Sequence, residues 1–382
     1  MEFFETRIES IAAGGAGLAR VGGKPVFVKG GIPGERLVIS ITKDHRSWAE
    51  AEMLEILDAS QDRVPVVCGL YGICGGCNLQ HLGYNAQLAA KTDILKDAFV
   101  RIGGFSPPEP MVIPSEPWEY RNRMQFHAIR QCGKKNAEVL WGLKSKKSAS
   151  AVPVPDCPIA DPGIRKLLRE EKKTPLTPLG KDRFTVYSRG DLFLNESGIN
   201  RGKTRILDQE LALDASLFFQ SNGAMLEKMI ADLLAIAAEA DRSMPMADLF
   251  CGVGTFAAFL GKLFPNSHLV EENKAAVALA RENVAARADF FAQRSEDWVI
   301  RNNPRDFGFI TADPPRQGLC QDLSLRLAAE GPPMLAYASC DPATLARDSK
   351  ILTAGNYSLK ELRFYDFYPQ TAHIESLAVF VK

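Results

Sequence analysis

The chain of 382 residues is most informative first in what it lacks. It has no apolar run of membrane-spanning length, so no span is expected. Its first residues, Met1-Glu2-Phe3-Phe4-Glu5-Thr6, show no basic stretch followed by an apolar one, so no export signal is expected and a cytosolic location is. There is no excess of charge: Lys plus Arg number 46 and Asp plus Glu number 46. Bulk charge therefore announces no polyanionic partner, and any nucleic-acid surface must be a local basic patch. Eight cysteines in a cytosolic chain of this size are not expected to form a disulfide framework, so clustered ones are read as metal-binding or catalytic. No obligate protein partner is called for. The remainder, 46% hydrophobic and 24% charged, is ordinary globular composition with room for two or three domains.

Residues 1–58 read as about five short β segments separated by Gly14-Gly15, Gly22-Gly23 and Gly30-Gly31: Arg7–Ile11, Gly17–Val21, Pro25–Val28, Arg36–Ile41 and Ala51–Leu57. So many strands in so short a stretch predict a small OB-like barrel, a fold often used on single-stranded nucleic acid but also as a plain adaptor.

The next region, 59–215, opens with Cys68, Cys74 and Cys77 in a C-x5-C-x2-C run rich in glycine. Three thiolates call for a fourth ligand. Cys157, followed by Pro158 in an irregular stretch, is the better candidate and Cys132 the competitor. Such a site could hold zinc or a [4Fe-4S] cluster, and three cysteines plus a distant fourth favour the cluster. The run is not the C-x3-C-x2-C of radical enzymes that cleave S-adenosylmethionine. A helix is expected over 83–103, and it could pack on the catalytic domain. In Tyr120–His127 polar and apolar residues alternate as in a half-buried strand, which puts Arg121 and Arg123 on one face as possible phosphate contacts. Lys134, Lys135, Lys144, Lys146 and Lys147 fall in turns that are either solvated or suited to a polyanion.

Residues 216–382 carry the chemistry. Gln220 closes an apolar run before the helix Met225–Ala238, where it could fix an amide or carbonyl edge. Met246–Phe256 runs a strand through Asp248, Phe250, Gly252 and Gly254 into a helix, and Glu271-Glu272 ends the following strand. That is nucleotide-cofactor logic: glycines allow close backbone approach and an acid meets ribose hydroxyls, for which Glu271 is preferred. The complete G-x-G-x-x-G is absent, and the form present is that of Rossmann-like S-adenosylmethionine-dependent methyltransferases. Another strand ends in Asp313-Pro314-Pro315-Arg316, where the arginine replaces the aromatic residue of amino-group methylating enzymes; its guanidinium points to a phosphate or carboxylate nearby, which makes Arg316 an RNA-binding candidate. Apolar Met334–Ala338 predicts a buried strand ending at Cys340, and Pro342 suits the first turn of a helix, so the thiol sits at the sheet edge where ligands bind. Finally His373, a partner or a surface residue, and Glu375, either a solvated loop acid or a base at the cofactor edge of the sheet, precede an apolar terminal strand.

Two stretches, Gly14–Arg20 and Lys24–Glu35, resemble a TRAM domain, which implies RNA binding. In combination, Asp248-Leu249-Phe250-Cys251-Gly252-Val253-Gly254, Asp313-Pro314-Pro315-Arg316, Ser339-Cys340-Asp341-Pro342 and His373-Ile374-Glu375-Ser376, after the cysteine run and Cys157-Pro158, resemble the RNA (uracil-C5)-methyltransferase family, nearest its iron-sulfur, TRAM-bearing members that modify 23S ribosomal RNA. The resemblance covers nearly the whole chain. It implies α/β plus β architecture: the barrel, a central iron-sulfur domain and a Rossmann-like methyltransferase domain. It further implies Cys340 as nucleophile, Glu375 as general base, Gln220 and Asp313 at the target uracil and cofactor, and Cys68, Cys74, Cys77 and Cys157 as ligands of a [4Fe-4S] cluster. The cofactor implied is S-adenosylmethionine and the partner RNA, ribosomal or, alternatively, transfer RNA. A non-catalytic iron-sulfur RNA-binding protein is the reading from another class. The family's usual Asn after the nucleophile is here Asp341, whose charge would disfavour a nearby thiolate.

Overall fold

The computed structural model describes residues 3–129, 140–146, 150–170, 182–196 and 198–382. Cys132, Lys134, Lys135 and Lys147 lie outside the described residues.

The N-terminal barrel has strands β1 (Phe3–Arg7), β2 (Ser10–Ile11), β3 (Gly17–Val21), β4 (Lys24–Lys29), β5 (Arg36–Asp44) and β6 (Ala49–Asp58), in the order β1-β5-β6-β4-β3-β2. The segment expected as one strand over 7–11 is two: between them the Ile8 amide turns to the Glu35 carbonyl and the Glu9 amide to that of Leu18. This crossing brings the two ends of the sheet together around Ile8, Val26, Val28, Leu37 and Ile39. Arg63, just past the barrel, donates to the buried Glu35 carboxylate and to the Gly30 carbonyl, anchoring the chain as it leaves.

The central sheet is antiparallel, with β8 (Arg123–Ile129), β9 (Leu140–Lys144), β10 (Ala151–Pro153), β11 (Arg183–Arg189) and β12 (Leu192–Asn195) in the order β10-β9-β8-β11-β12. Met124, Phe126, Phe184 and Val186 pack there with Ile164 of helix α2 (Pro162–Glu170) and with Cys157 and Ile159.

The region expected as one central domain over 59–215 is in fact shared. Helix α1 (Tyr84–Ala98), extended by a π turn over Phe99–Gly103, buries Leu95, Ala98 and Phe99 in the catalytic core, and β7 (Met111–Ile113) pairs in parallel with the edge of the catalytic sheet. The hairpin of β13 (Arg201–Ile206) and β14 (Gln209–Asp214) likewise buries Ile206, Leu211 and Leu213 against that core. The apolar faces of these segments decide their allegiance, and sequence order does not.

Helix α3 (Gly223–Ala238) opens the catalytic domain proper. There follow β15 (Met246–Leu249), α4 (Ala257–Leu260), β16 (Ser267–Glu271), α5 (Lys274–Asn283), β17 (Ala288–Ala292), α6 (Ser295–Arg301), β18 (Phe309–Ala312), α7 (Gln321–Glu330), β19 (Met334–Ser339), α8 (Pro342–Ala354), β20 (Ser358–Tyr365) and β21 (Glu375–Val381). Strand order is β17-β16-β15-β18-β19-β21-β20-β7, with β17 through β19 parallel and β21 antiparallel to both its neighbours. Helices cover both faces, so β19 is apolar on both sides: Met334, Ala336 and Ala338 face one core cluster, Leu335 and Tyr337 the other. Truncating such a buried leucine would cost about 2–5 kcal/mol.

Candidate active site

The topology explains why the motifs converge. Parallel strands β15, β16, β18 and β19 deliver their carboxyl ends to one edge of the sheet. Antiparallel β21 delivers its beginning to the same edge. Ser339 pairs with Ser376, so Cys340 and Glu375 lie one step beyond, across neighbouring strands. Residues opposed in an antiparallel pair stand about 4.5–5.5 Å apart at Cα. Cys340, Glu375, Asp313, Arg316, Gln220, Phe250, Gly252, Glu271 and Arg121 all line one cleft of about 720 Å³.

Its cofactor side is shaped by backbone. Phe250, Gly252 and Gly254 adopt φ of +61°, +54° and +78°, which turns the chain sharply out of β15. A Cβ on Gly252 would point into open space, whereas one on Gly254 would press on Ala280 and Val284, so Gly254 serves helix packing and does not line the cleft. Glu271 accepts from the Gly252 amide at 3.1 Å and the Asn273 amide at 2.8 Å, tying the strand end to the glycine turn. Its neighbour Glu272 also lines the cleft. Asp248, expected at the cofactor, is buried beneath the turn, where it accepts from Thr311 Oγ1 at 2.7 Å and the Ala257 amide at 3.2 Å. It supports the cofactor site from below and does not line it.

The Cys340 thiol and two carboxyl groups, Glu375 and Asp313, crowd one cation, Arg316. Burial, then the nearby Glu375 and Asp313, push the Cys340 thiol up to about 11, opposed by Arg316. Burial and Asp313 hold the Glu375 carboxyl well above the usual range, again opposed by Arg316, and burial likewise raises Asp313. Arg316 Nη2 lies 3.3 Å from His373 Nδ1. Burial, then Arg316, lower His373 to about 4, so its ring is neutral at pH 7 and accepts from the guanidinium. His373 is therefore a partner of the site's cation.

Asp341 is the N-cap of α8: its Oδ1 accepts from the Ala343 and Thr344 amides at 2.9 and 3.0 Å. Its carboxylate is committed to the helix end, a task Asn performs equally well.

Arg121 lines the cleft, but Arg123 departs from the expectation of a free phosphate contact. Its Nη2 donates to the Leu217 carbonyl at 3.0 Å and burial lowers its pKa, so it braces the segment leading to Gln220. Gln220 is 9% exposed, and Asn222 just after it caps α3 through the Met225 amide.

Sequence reasoning missed Tyr368, Gln293 and Ser295, which also line the cleft. The ring of Tyr368 lies 5.6 Å from that of His373, and its hydroxyl is pushed up to about 12 by burial and Glu375. An aromatic residue leaving a strand before Pro369 was the available signal for Tyr368. For Gln293 it was the polar residue after the apolar run of β17.

Cys68, Cys74, Cys77 and Cys157 line a second, small cavity on the other side of Arg121, which borders both. Burial raises the Cys74 thiol, Cys77 to about 12 and Cys157 to about 11, with mutual repulsion among the sulfurs adding to it. Four soft donors around one cavity are a donor set suited to iron-sulfur or zinc. Among the described residues no three His, Cys, Asp or Glu side chains form a site for a single metal ion.

Comparison with known proteins agrees with this geometry. Residues 4–54 match the TRAM domain, 229–335 the methyltransferase small domain and 293–382 the tRNA (uracil-5-)-methyltransferase domain. An RNA methyltransferase of Treponema denticola is 32% identical, with 94% of each chain covered. The 23S rRNA (uracil(1939)-C(5))-methyltransferase RlmD of Methylococcus capsulatus is also 32% identical, over 98% of this chain and 96% of its own. A crystal structure of the Pyrococcus abyssi tRNA (uracil-54, C5)-methyltransferase with S-adenosyl-L-homocysteine, 24% identical, superposes with a TM-score of 0.75 over 99% of this chain and 100% of that one, which establishes the fold. Full-length relatives, domain matches and a cleft joining a strand-end cysteine to a cofactor turn agree: the chain belongs to the S-adenosylmethionine-dependent RNA (uracil-C5)-methyltransferase family.

Proposed function

We propose that this protein methylates C5 of a uridine in 23S ribosomal RNA, with Cys340 as nucleophile and Glu375 as the base that completes the reaction. The observation that carries this reading is that Cys340 and Glu375 lie just beyond the Ser339–Ser376 pair, at the adjoining ends of β19 and β21, in the same cleft as the glycine turn. The ribosomal substrate rests on the full-length relatives that bear that name, and on the TRAM barrel. A cytosolic location goes with that substrate.

Uracil C5 is a poor nucleophile because its electrons are drawn toward the ring carbonyls. Addition of the Cys340 thiolate to C6 forms a carbon-sulfur bond and pushes the electron pair toward C5, which then takes the methyl group. S-adenosylmethionine supplies the electrophilic methyl carried on a sulfonium cation. Glu375 then removes the proton left on C5, and the electron pair of that C–H bond expels Cys340 from C6, restoring the ring and the thiolate. Both groups must be ionised for their steps, yet burial and the neighbouring acids favour the protonated form of each in the free cleft. Arg316 opposes that protonation, and His373 holds its guanidinium in place. Gln220 and Asp313 are suited to the polar edge of the uracil or the cofactor, Glu271 and the Gly252 turn to the cofactor, and Arg121 to an RNA phosphate. The target base must leave its stack to reach a cleft of this kind.

The four-cysteine cavity is suited to a [4Fe-4S] cluster. All four positions would then be taken by protein thiolates, so its role would be to organise the central domain and the RNA surface.

Incubating anaerobically purified protein with unmodified 23S ribosomal RNA, transfer RNA and methyl-labelled S-adenosylmethionine, then mapping the label, tests the reading. It predicts label as 5-methyluridine in the ribosomal RNA. Label confined to transfer RNA would overturn the substrate assignment. None on either RNA, with cofactor bound, would favour a binding protein.

A further inference from the structure

The loop over 366–374 carries Tyr368 and His373 to the cleft and feeds directly into Glu375, yet much of its support comes from the segment following the cysteine run. The Gln370 carbonyl accepts from the amides of Asn78 at 3.1 Å and Leu79 at 3.0 Å. The Gln370 amide donates to Gln87 Oε1 at 2.9 Å, and Gln87 Nε2 donates to Gln370 Oε1 at 3.0 Å. The Ala372 amide donates to Asn78 Oδ1 at 2.8 Å. Tyr120 and Lys91 hold the carbonyls of Pro369 and Tyr368. Gln370 adopts φ +67°, a conformation costly for a side-chain-bearing residue that persists where the surroundings impose it.

Asn78 holds a special place among these contacts. It follows Cys77 directly, its amide and Oδ1 grip the loop at two points, and its Nδ2 donates to the barrel's Gly14 carbonyl at 2.7 Å. The barrel turn comes close enough that a Cβ on Gly15 would lie 2.9 Å from Asn78 Nδ2 and 3.2 Å from Ala372 Cβ. Ala372 also packs beside Ile11 and Ile32 of the barrel region and Leu79 and Leu82. Barrel, cysteine run and catalytic loop thus meet on one side chain.

We propose that Asn78 is a positioning residue for the methylation: through Ala372 and Gln370 it sets His373, with it Arg316, and the start of β21 that bears Glu375. The inference rests on the function proposed above. The two arms of the amide have separable duties. The acceptor Oδ1 fixes the catalytic loop, and the donor Nδ2 fixes the barrel against it.

The test compares wild type, Asn78→Ala, Asn78→Asp and Glu375→Gln in steady-state methylation of 23S ribosomal RNA, with trapped protein–RNA adduct, S-adenosylmethionine affinity and thermal midpoint recorded for each. Asn78→Ala removes the acceptor, and kcat is expected to fall about 10²-fold, the cost of misplacing a reacting group by ~1 Å. Cofactor affinity should hold, and covalent adduct should accumulate, as is also expected for Glu375→Gln, because proton removal has become slow. Asn78→Asp keeps the acceptor and loses the donor, so it should retain most of kcat and raise KM for RNA. Wild-type kcat in Asn78→Ala, or equal losses in both variants that track the thermal midpoint without adduct, would overturn the proposal. A wild type that makes no 5-methyluridine would instead overturn the function on which it rests.

Discussion

At the scale of single residues, the site's protonation governs its reactivity. The Cys340 thiol sits near 11 and the Glu375 carboxyl is raised, both chiefly by burial. In the proposed mechanism each must lose a proton to act, so kcat/KM, which reports the free enzyme, should climb with pH across neutrality by about tenfold per unit while the thiol is the limiting group. Arg316 opposes both shifts, so Arg316→Gln should move the rise to higher pH as well as lower the rate; a profile over pH 6–9 that keeps its position would argue against this role. The meeting of Cys340, Glu375 and Asp313 at one cleft was legible in the sequence because each lies where a recognisable strand ends or begins. Asp248 and Arg123 were misread for a common reason. Sequence registers a polar residue beside a motif but not the direction of its side chain, and here Thr311 and the Leu217 carbonyl draw these two inward.

Secondary elements carry the site into register, and two of them allow a clear test. Asp341 spends its carboxylate on the first amides of α8. Asp341→Asn should therefore preserve activity and thermal midpoint, while Asp341→Ala should cost about 1 kcal/mol of stability in urea titration. Helix α1 is joined to the end of β20 by Lys91 Nζ and Asp366 Oδ1 at 2.6 Å, with both side chains fully buried. Lys91→Met leaves a carboxylate without its partner and should lower stability by about 3–5 kcal/mol by the same measurement, whereas Lys91→Met with Asp366→Leu should recover most of it. If the single and double variants lose the same amount, the cost lies in packing and not in the unpaired charge. The strands at the sheet centre were readable from apolar runs such as Met334–Ala338, and the C-cap Gly104 of the α1 region from Gly103-Gly104. β7 was not: three residues in a proline-rich stretch carry too little pattern, and only pairing with β20 makes them a strand.

Across the whole molecule, the loop that leads to Glu375 meets the barrel turn at Ala372 and packs Tyr368 against the central core, and the cysteine cavity lies beside Arg121. If the cysteine cavity holds the proposed cluster, Cys157→Ala should lower bound iron and its visible absorption in anaerobically purified protein while leaving cofactor affinity unchanged, since the glycine turn follows β15 of the catalytic sheet. Iron retained in that variant would contradict the ligand assignment. The N-terminal barrel and the C-terminal methyltransferase sheet were legible from their strand and glycine patterns, but the packing of 84–113 on the catalytic core was only partly so, because α1 shows its apolar residues without showing which sheet they will cover. The most direct test of the account is to present RNA in which uridine is replaced by 5-fluorouridine, whose fluorine Glu375 cannot remove as a proton. With S-adenosylmethionine present, wild type should stall as a covalent methylated adduct, and digestion with mass spectrometry should find it on the peptide bearing Cys340 and not in Cys340→Ala. An adduct on another residue, or none from an enzyme that turns over ordinary RNA, would contradict the central claim.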